Sequence, residues 1–135
     1  MDAPQVEKLT VEAFVVSERR ERWLADLARP MLKRRSTVRL YDTRDFDQRW
    51  LTPLSREQHT ATAVVALLRG RESPEDVWLM EAHEVARPWR LDEAVAEAIR
   101  ANEGLVICQP GTLAYLETET DGGFILGRQG APSAR

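Results

Sequence analysis

The chain has 135 residues, of which 43% are hydrophobic and 30% are charged, and its formal net charge is −3. This composition excludes a disordered chain and predicts one globular domain over residues 1–127 with a disordered tail over 128–135. No apolar run approaches the roughly 18 residues of a membrane span, and no basic and apolar leader opens the chain, so we expect no membrane association and a cytoplasmic location.

The first third of the chain predicts strand, helix, strand and then a loop. Leu9–Val16 is apolar and rich in β-branched residues, which is typical of a strand. Ser17 follows as a helix N-cap, and an apolar stripe that starts at Trp23 predicts the first helix. Thr37–Tyr41 alternates polar and apolar residues like a half-buried strand, whereas residues 43–54 have no clean period and predict a long loop.

The middle of the chain predicts two more helices and a buried strand. Ser55 and Gln58 have the spacing of a capping box, and the apolar stripe behind them predicts a second helix that stops at Gly70. Val77–Met80 is a continuous apolar run, as in a buried strand, and the polar stretch Glu81–Arg90 predicts a connection. A third helix follows, on the apolar stripe from Leu91 to Ile99.

The chain ends in predicted strands. Leu105–Cys108 is a second continuous apolar run, and Leu113–Glu117 and Gly123–Leu126 flank a glycine-rich turn that favours a hairpin. The whole order predicts an α/β (or α+β) fold: a small mixed sheet of five to six strands with three helices and a C-terminal antiparallel hairpin.

Signals for catalysis are weak. No glycine-rich phosphate loop occurs, and the single cysteine excludes a cysteine-based zinc cluster, so we expect no cofactor and no metal. One alternative is a small hydrolase or transferase that uses Cys108, at the end of a predicted strand, with His59 or His83 as its base. Acidic residues at predicted strand ends, among them Asp42 and Glu81, give a second form of that alternative. Cysteines in apolar runs are usually inert, and acids in loops usually cap turns, so we assign no catalytic residue and lean against an enzyme.

Basic residues are concentrated in the first half of the chain. Residues 17–56 hold eleven Lys and Arg against six acids, whereas residues 57–135 hold seven against thirteen. The second alternative is therefore anion or nucleic-acid binding, with a tryptophan as a stacking platform. The acidic net charge argues against it. The basic residues concerned are Arg19, Arg20, Arg22, Lys33, Arg34, Arg35 and Arg39.

Two tryptophans in polar connections are the most suggestive feature. Trp50 follows Arg49, and Trp89 lies between Arg87 and Arg90. Exposed Trp and Arg together favour protein interfaces, although each ring can instead cover an edge of the core. Our leading hypothesis is a small non-enzymatic protein-binding module, of the regulator, adaptor or inhibitor type, whose partner is another protein or a second copy of the chain.

Overall fold

The computed structural model describes residues 1–29, 40, 42–81 and 84–128. This part of the chain forms four α-helices, α1 Ala3–Phe14, α2 Ser17–Leu27, α3 Ala61–Gly70 and α4 Leu91–Ala101, and a short 3-10 helix Gln48–Trp50. Six strands are present in it: β1 Leu51–Pro53, β2 Asp76–Glu81, β3 Glu84–Arg90, β4 Gly104–Gln109, β5 Leu113–Thr118 and β6 Gly122–Gly127. Across these ranges, no helix is both long enough and apolar enough to cross a membrane.

The six strands form one sheet in the order β1-β6-β5-β4-β2-β3, with antiparallel pairing at every described neighbour. The predicted class, strand number and C-terminal hairpin are confirmed, with four helices where three were expected. The expectation of a mixed sheet needs correction. α3 and α4 do connect strands that run in the same direction, but other strands lie between the connected pairs, so parallel strands are never neighbours.

The sheet lies between two helical layers, because successive residues of each strand face opposite sides. On β4, Leu105 and Ile107 face the layer that contains α1 and α2, whereas Val106 and Cys108 face α3 and α4. All four side chains are buried. Both faces of the sheet therefore support their own hydrophobic core.

The N-terminal segment is a helix, so the strand predicted over Leu9–Val16 is wrong. Asp2 and Gln5 form a capping box, in which each side chain accepts a hydrogen bond from the other residue's backbone N–H, at 3.0 and 2.8 Å. The apolar residues then recur at helical spacing and pack on the sheet. The three that are essentially unexposed are Val6, Val11 and Phe14. Tertiary packing of this face overrides the β propensity of its valines.

Further differences lie in the middle of the chain. Ser55 and Gln58 do exchange the two capping-box hydrogen bonds, at 2.9 and 3.2 Å, but they close a separate turn. Thr60 caps α3 instead, by accepting from the Ala63 N–H at 3.2 Å. Two strands, β1 and β3, form where a loop and a connection were predicted. Except for Leu40, the predicted strand Thr37–Tyr41 lies outside the described residues, as do residues 129–135 of the predicted tail.

Both edges of the sheet are closed to additional strands. At the β3 edge, the Ala86 N–H donates to the carboxylate of Glu7 on α1 at 2.9 Å, so it points away from β2. Pro88, two residues along and on the same side, has no N–H. At the β1 edge, the Leu51 N–H is bonded to the Gln48 carbonyl, and Pro53 has no N–H. Neither edge presents the row of donors that strand addition requires.

Candidate functional site

α3 is the most apolar of the four helices. Arg69 is its only charged residue. Its inner side packs on the sheet through three buried side chains, Val64, Val65 and Leu68. The side of α3 away from the sheet is exposed at Thr62, Ala66 and Arg69 and half-buried at Ala63 and Leu67.

The open side of α3 is a continuous apolar stripe. Its residues follow the i, i+3, i+4, i+7 spacing of one helical face, and we call them the α3 outer face: Ala63, Ala66, Leu67 and Gly70. Together with Gln58 and Arg71 they line a shallow depression of about 500 Å³. A second depression, of about 330 Å³, lies between α3 and α4 and shares Ala66 with the first. Ala66 is thus a low ridge between two hollows.

α4 belongs to the same layer and shows an ordinary solvent-facing side. Asp92, Glu93, Glu97 and Arg100 are charged, and Ala96 is exposed among them. Arg100 donates to Glu97 at 2.9 Å, and this hydrogen bond lowers the pKa of the Glu97 carboxyl. The two helices lie in the same layer, but their outer sides differ in polarity. The outer side of α4 is charged, whereas the α3 outer face is apolar.

Charged residues flank α3 at both ends. Arg56 and Glu57 lie in the exposed turn before the helix, and Arg71 and Glu72 follow it directly. Glu72 adopts the left-handed backbone conformation, with φ of 69°, where the helix stops. Within the part of the chain that the structure describes, none of these four side chains forms an ion pair. The Arg71 guanidinium packs against Gly127 of β6.

A buried polar network lies beside the start of α3. Glu117 on β5 is 2% exposed, and its Oε1 accepts a hydrogen bond from the Tyr115 hydroxyl. The same oxygen lies 2.7 Å from Nε2 of His59, whose side chain is 30% exposed. Burial, aided by the bond to Glu117, raises the pKa of Tyr115. On β6, Gly123 leaves space for this network, because a Cβ there would lie 2.9 Å from the Tyr115 Oη.

This network brings His59 to a carboxylate but not to a nucleophile. The hypothesis of a hydrolase or transferase paired His59, as a base, with Cys108 as the nucleophile. Cys108 is 3% exposed, and burial raises the pKa of its thiol to about 11. A thiol that stays protonated near neutral pH is a poor nucleophile. The other proposed base, His83, lies outside the described residues. The three network side chains satisfy one another, as in a structural polar cluster.

Trp50, one of the two predicted interface tryptophans, is half-buried against the α1/α2 layer. The guanidinium carbons of Arg49 and Arg128 lie 5.0 and 4.4 Å from its ring centroid. Arg49 also donates to Asp47 at 2.6 Å, and this hydrogen bond lowers the pKa of that carboxyl. The ring is therefore already stacked within its own chain.

Trp89 lies at the opposite edge of the sheet, on β3. It packs partly buried against the α3/α4 layer, with the Arg87 guanidinium carbon 5.5 Å from its ring. Arg87 pairs with Glu81 at 2.8 Å, and Arg90 pairs with Asp76 at 3.2 Å. Because β3 and β1 are separated by five strand spacings, Trp89 and Trp50 are roughly 24 Å apart and form no common surface.

The remaining predicted residues have local partners. Asp42 accepts from the Arg44 N–H at 3.0 Å, and Arg20 donates to the Val15 carbonyl at 2.8 Å. Arg19 lies 3.7 Å from Asp45. Among the residues described, no group of three or more His, Cys, Asp or Glu side chains is placed to hold a metal. Lys33, Arg34, Arg35 and Arg39 lie outside the described ranges.

Sequence reasoning missed Tyr115, Glu117 and the α3 outer face. The signal for Glu117 was a carboxylate two residues after Tyr115 on a predicted strand, and therefore on the same face. The signal for α3 was a ten-residue helix with a single charge. No protein-family model, curated protein or solved structure matches this chain.

Proposed function

We propose that this protein works by binding another protein chain, and that the α3 outer face receives an apolar helix of that partner. The observation that supports the proposal is an apolar helix covered on one side only. Transfer of apolar surface out of water stabilises a complex by roughly 25 cal/mol per Å², less the cost of association. Ala63, Ala66 and Leu67 supply such apolar surface, beside Arg71 in one hollow and Arg69 and Asp92 in the other.

The shape of the surface favours a helix as the bound element. Alanine and glycine side chains let two helix axes approach to about 8 Å, and the hollows on either side of Ala66 can accept the side chains of a crossing helix. Strand addition has less support. At the β3 edge, the Ala86 N–H is occupied by Glu7, and Pro88 has no N–H.

The other functional hypotheses have weaker support. A hydrolase or transferase would need a reactive thiol, whereas the Cys108 thiol is buried with a raised pKa. In the described part of the basic segment, Arg19 lies 3.7 Å from Asp45 and Arg20 donates to the Val15 carbonyl, so both guanidinium groups already have partners within the chain. The Trp50 and Trp89 surfaces remain alternative binding sites, although each ring already stacks on an arginine of its own chain.

Site-specific photo-crosslinking compares these surfaces directly. The crosslinker p-benzoylphenylalanine replaces one residue at a time, Ala66 on α3, Arg49 beside Trp50 or Arg87 beside Trp89, in cells that make the protein naturally. Ala96, exposed on α4, is the matched control. We expect adducts from position 66, mapped by mass spectrometry to a helical peptide, and none from position 96. Adducts from position 49 or 87 without any from position 66 would contradict the proposal.

A further inference from the structure

We propose that His59 is a phosphoryl-acceptor residue. Its Nδ1 takes a phosphoryl group from a donor in which phosphorus is bound to nitrogen, as in a phosphohistidine of another protein. Histidine is a covalent nucleophile when one ring nitrogen presents an accessible lone pair and the other ring nitrogen keeps its proton. Three features of the His59–Glu117–Tyr115 network meet this condition, and the site shares no residue with the α3 outer face.

The first feature is the position of the proton on the His59 ring. Oε1 of Glu117 accepts a hydrogen bond from the Tyr115 hydroxyl and lies 2.7 Å from Nε2 of His59. A carboxylate can only accept hydrogen bonds, so the ring proton belongs on Nε2 and the lone pair on Nδ1. Glu117 is 2% exposed, and packing therefore holds its carboxylate beside the ring.

The second feature is the side of the ring that carries Nδ1. The edge formed by Nε2 and Cδ2 faces β6, since a Cβ on Gly123 would lie 3.1 Å from both atoms. Nδ1 belongs to the other edge, and no described residue forms a hydrogen bond with it. The His59 side chain is 30% exposed, and its neighbours Gln58 and Thr60 are exposed. A donor can therefore approach the nucleophilic nitrogen from solvent.

The third feature is the charge beside the ring. Attack by Nδ1 leaves His59 with a phosphoryl group on one nitrogen and a proton on the other, so the ring becomes positively charged. The buried Glu117 carboxylate next to Nε2 stabilises this charge as it develops. Arg56 belongs to the same turn, because its carbonyl accepts from the His59 N–H at 3.2 Å. The Arg56 side chain is exposed and forms no ion pair with the described residues, so it is available to the phosphoryl oxygens.

The transfer needs no reactant other than the donor. The Nδ1 lone pair forms the new bond to phosphorus, and the bond between phosphorus and the donor nitrogen breaks. The donor nitrogen leaves with the bonding electron pair, while Nε2 of His59 keeps its proton towards Glu117. One bond between phosphorus and nitrogen replaces another, so the reaction exchanges bonds of the same type.

Phosphoramidate, a small donor with this bond, tests the proposal on the purified chain near neutral pH. We expect the native protein to gain one phosphoryl group, which mass spectrometry of a neutral digest maps to His59 and phosphorus NMR assigns to Nδ1. Phosphorylation of His59 should be at least about tenfold faster in the native protein than in urea, because only the fold places Glu117 beside the ring. In urea, His83 provides an internal reference for an unassisted histidine.

Two variants of the network separate the charge of Glu117 from its packing. Glu117→Gln keeps the size of the side chain but removes the charge, and it should slow phosphorylation of His59 at least about tenfold. Tyr115→Phe is the matched control, since it removes a partner of the same oxygen but leaves the carboxylate beside Nε2. It should keep most of the wild-type rate. Circular dichroism confirms that each variant retains the fold.

Several outcomes would overturn the proposal. These are labelling of His83 alone, labelling of His59 at Nε2, and equal rates at His59 in the native protein and in urea. The comparison of native with unfolded wild type requires no substitution, so it decides the question even if Glu117→Gln fails to fold. A folded Glu117→Gln variant that reacts as fast as the wild type would refute the role of the carboxylate.

Discussion

Replacing Gly123 by alanine provides a direct test of the packing around the His59–Glu117–Tyr115 network. The added Cβ would lie 2.9 Å from the Tyr115 Oη and 3.1 Å from two atoms of the His59 ring. Tyr115 is fully buried between α3 and the sheet, so it has no space into which to retreat. Forcing a methyl group into a filled interior usually costs about 1–3 kcal/mol, and we expect Gly123→Ala to destabilise the fold by that amount.

Gly127→Ala is the matched control. It lies four residues along the same strand and on the same face, and neither glycine has the positive φ that would strain an alanine. Its Cβ would meet the Arg71 guanidinium, the far end of a flexible side chain that can move aside. We therefore expect a change of at most about 0.5 kcal/mol, of either sign.

Urea unfolding followed by tryptophan fluorescence measures both variants. The same measurement in a Tyr115→Phe background isolates the cause, since removing the hydroxyl removes the closest contact. The cost of Gly123→Ala should then fall by about half or more. Equal costs for Gly123→Ala and Gly127→Ala, or a Gly123→Ala cost that is unchanged by Tyr115→Phe, would refute this explanation of the glycine.

Two further expectations concern buried groups. Iodoacetamide should modify Cys108 at pH 8 at least a hundredfold more slowly in the native protein than in urea. The raised pKa also means that the folded state holds the thiol proton more tightly, so the stability from this group is complete below about pH 9 and is lost as the pH rises towards 11. Between pH 9 and pH 11, the free energy of unfolding should therefore fall by up to about 2–3 kcal/mol more in the wild type than in Cys108→Ala. If the free energy of unfolding falls equally in the two proteins, the thiol is not the cause. Glu7→Ala should cost about 1–3 kcal/mol and promote thioflavin-positive aggregation by leaving the Ala86 N–H unpaired, whereas Glu7→Gln keeps an acceptor and should cost less. Indistinguishable urea midpoints for the two Glu7 variants would contradict that role.

The parts of the fold that sequence predicted well are those with a strong local pattern. β4 is a run of apolar residues bounded by Gly104 and Pro110, and α4 has a clean stripe with acids in its first turn, so local chemistry alone specifies both. α1 was mistaken for a strand because its valines favour β structure. Its helical form depends on the cap at Asp2 and on a sheet surface built from distant residues.

The candidate site was less accessible to sequence reasoning for the same reason. His59 and Glu117 are 58 residues apart, and no local pattern pairs them. The α3 outer face was readable in principle, since Arg69 is the one charge in ten residues. The helical periodicity predicts which side of α3 packs on the sheet. Whether the outer side of α3 is also covered depends on tertiary structure. Trp50 and Trp89 were predicted as interface residues because arginines flank them in the sequence. Their placement at opposite edges of the sheet follows from the strand order, which the sequence does not show.

The strand order also constrains the folding pathway. β4, β5 and β6 are consecutive hairpins and need only short loops to close, whereas β1 pairs with β6 across about seventy residues of intervening chain. Loop closure disfavours such distant contacts until their docking surface exists. We therefore expect the C-terminal meander to assemble early and β1 to join last. For the same reason, Leu51–Pro53 should be the first segment to separate from the sheet on local unfolding.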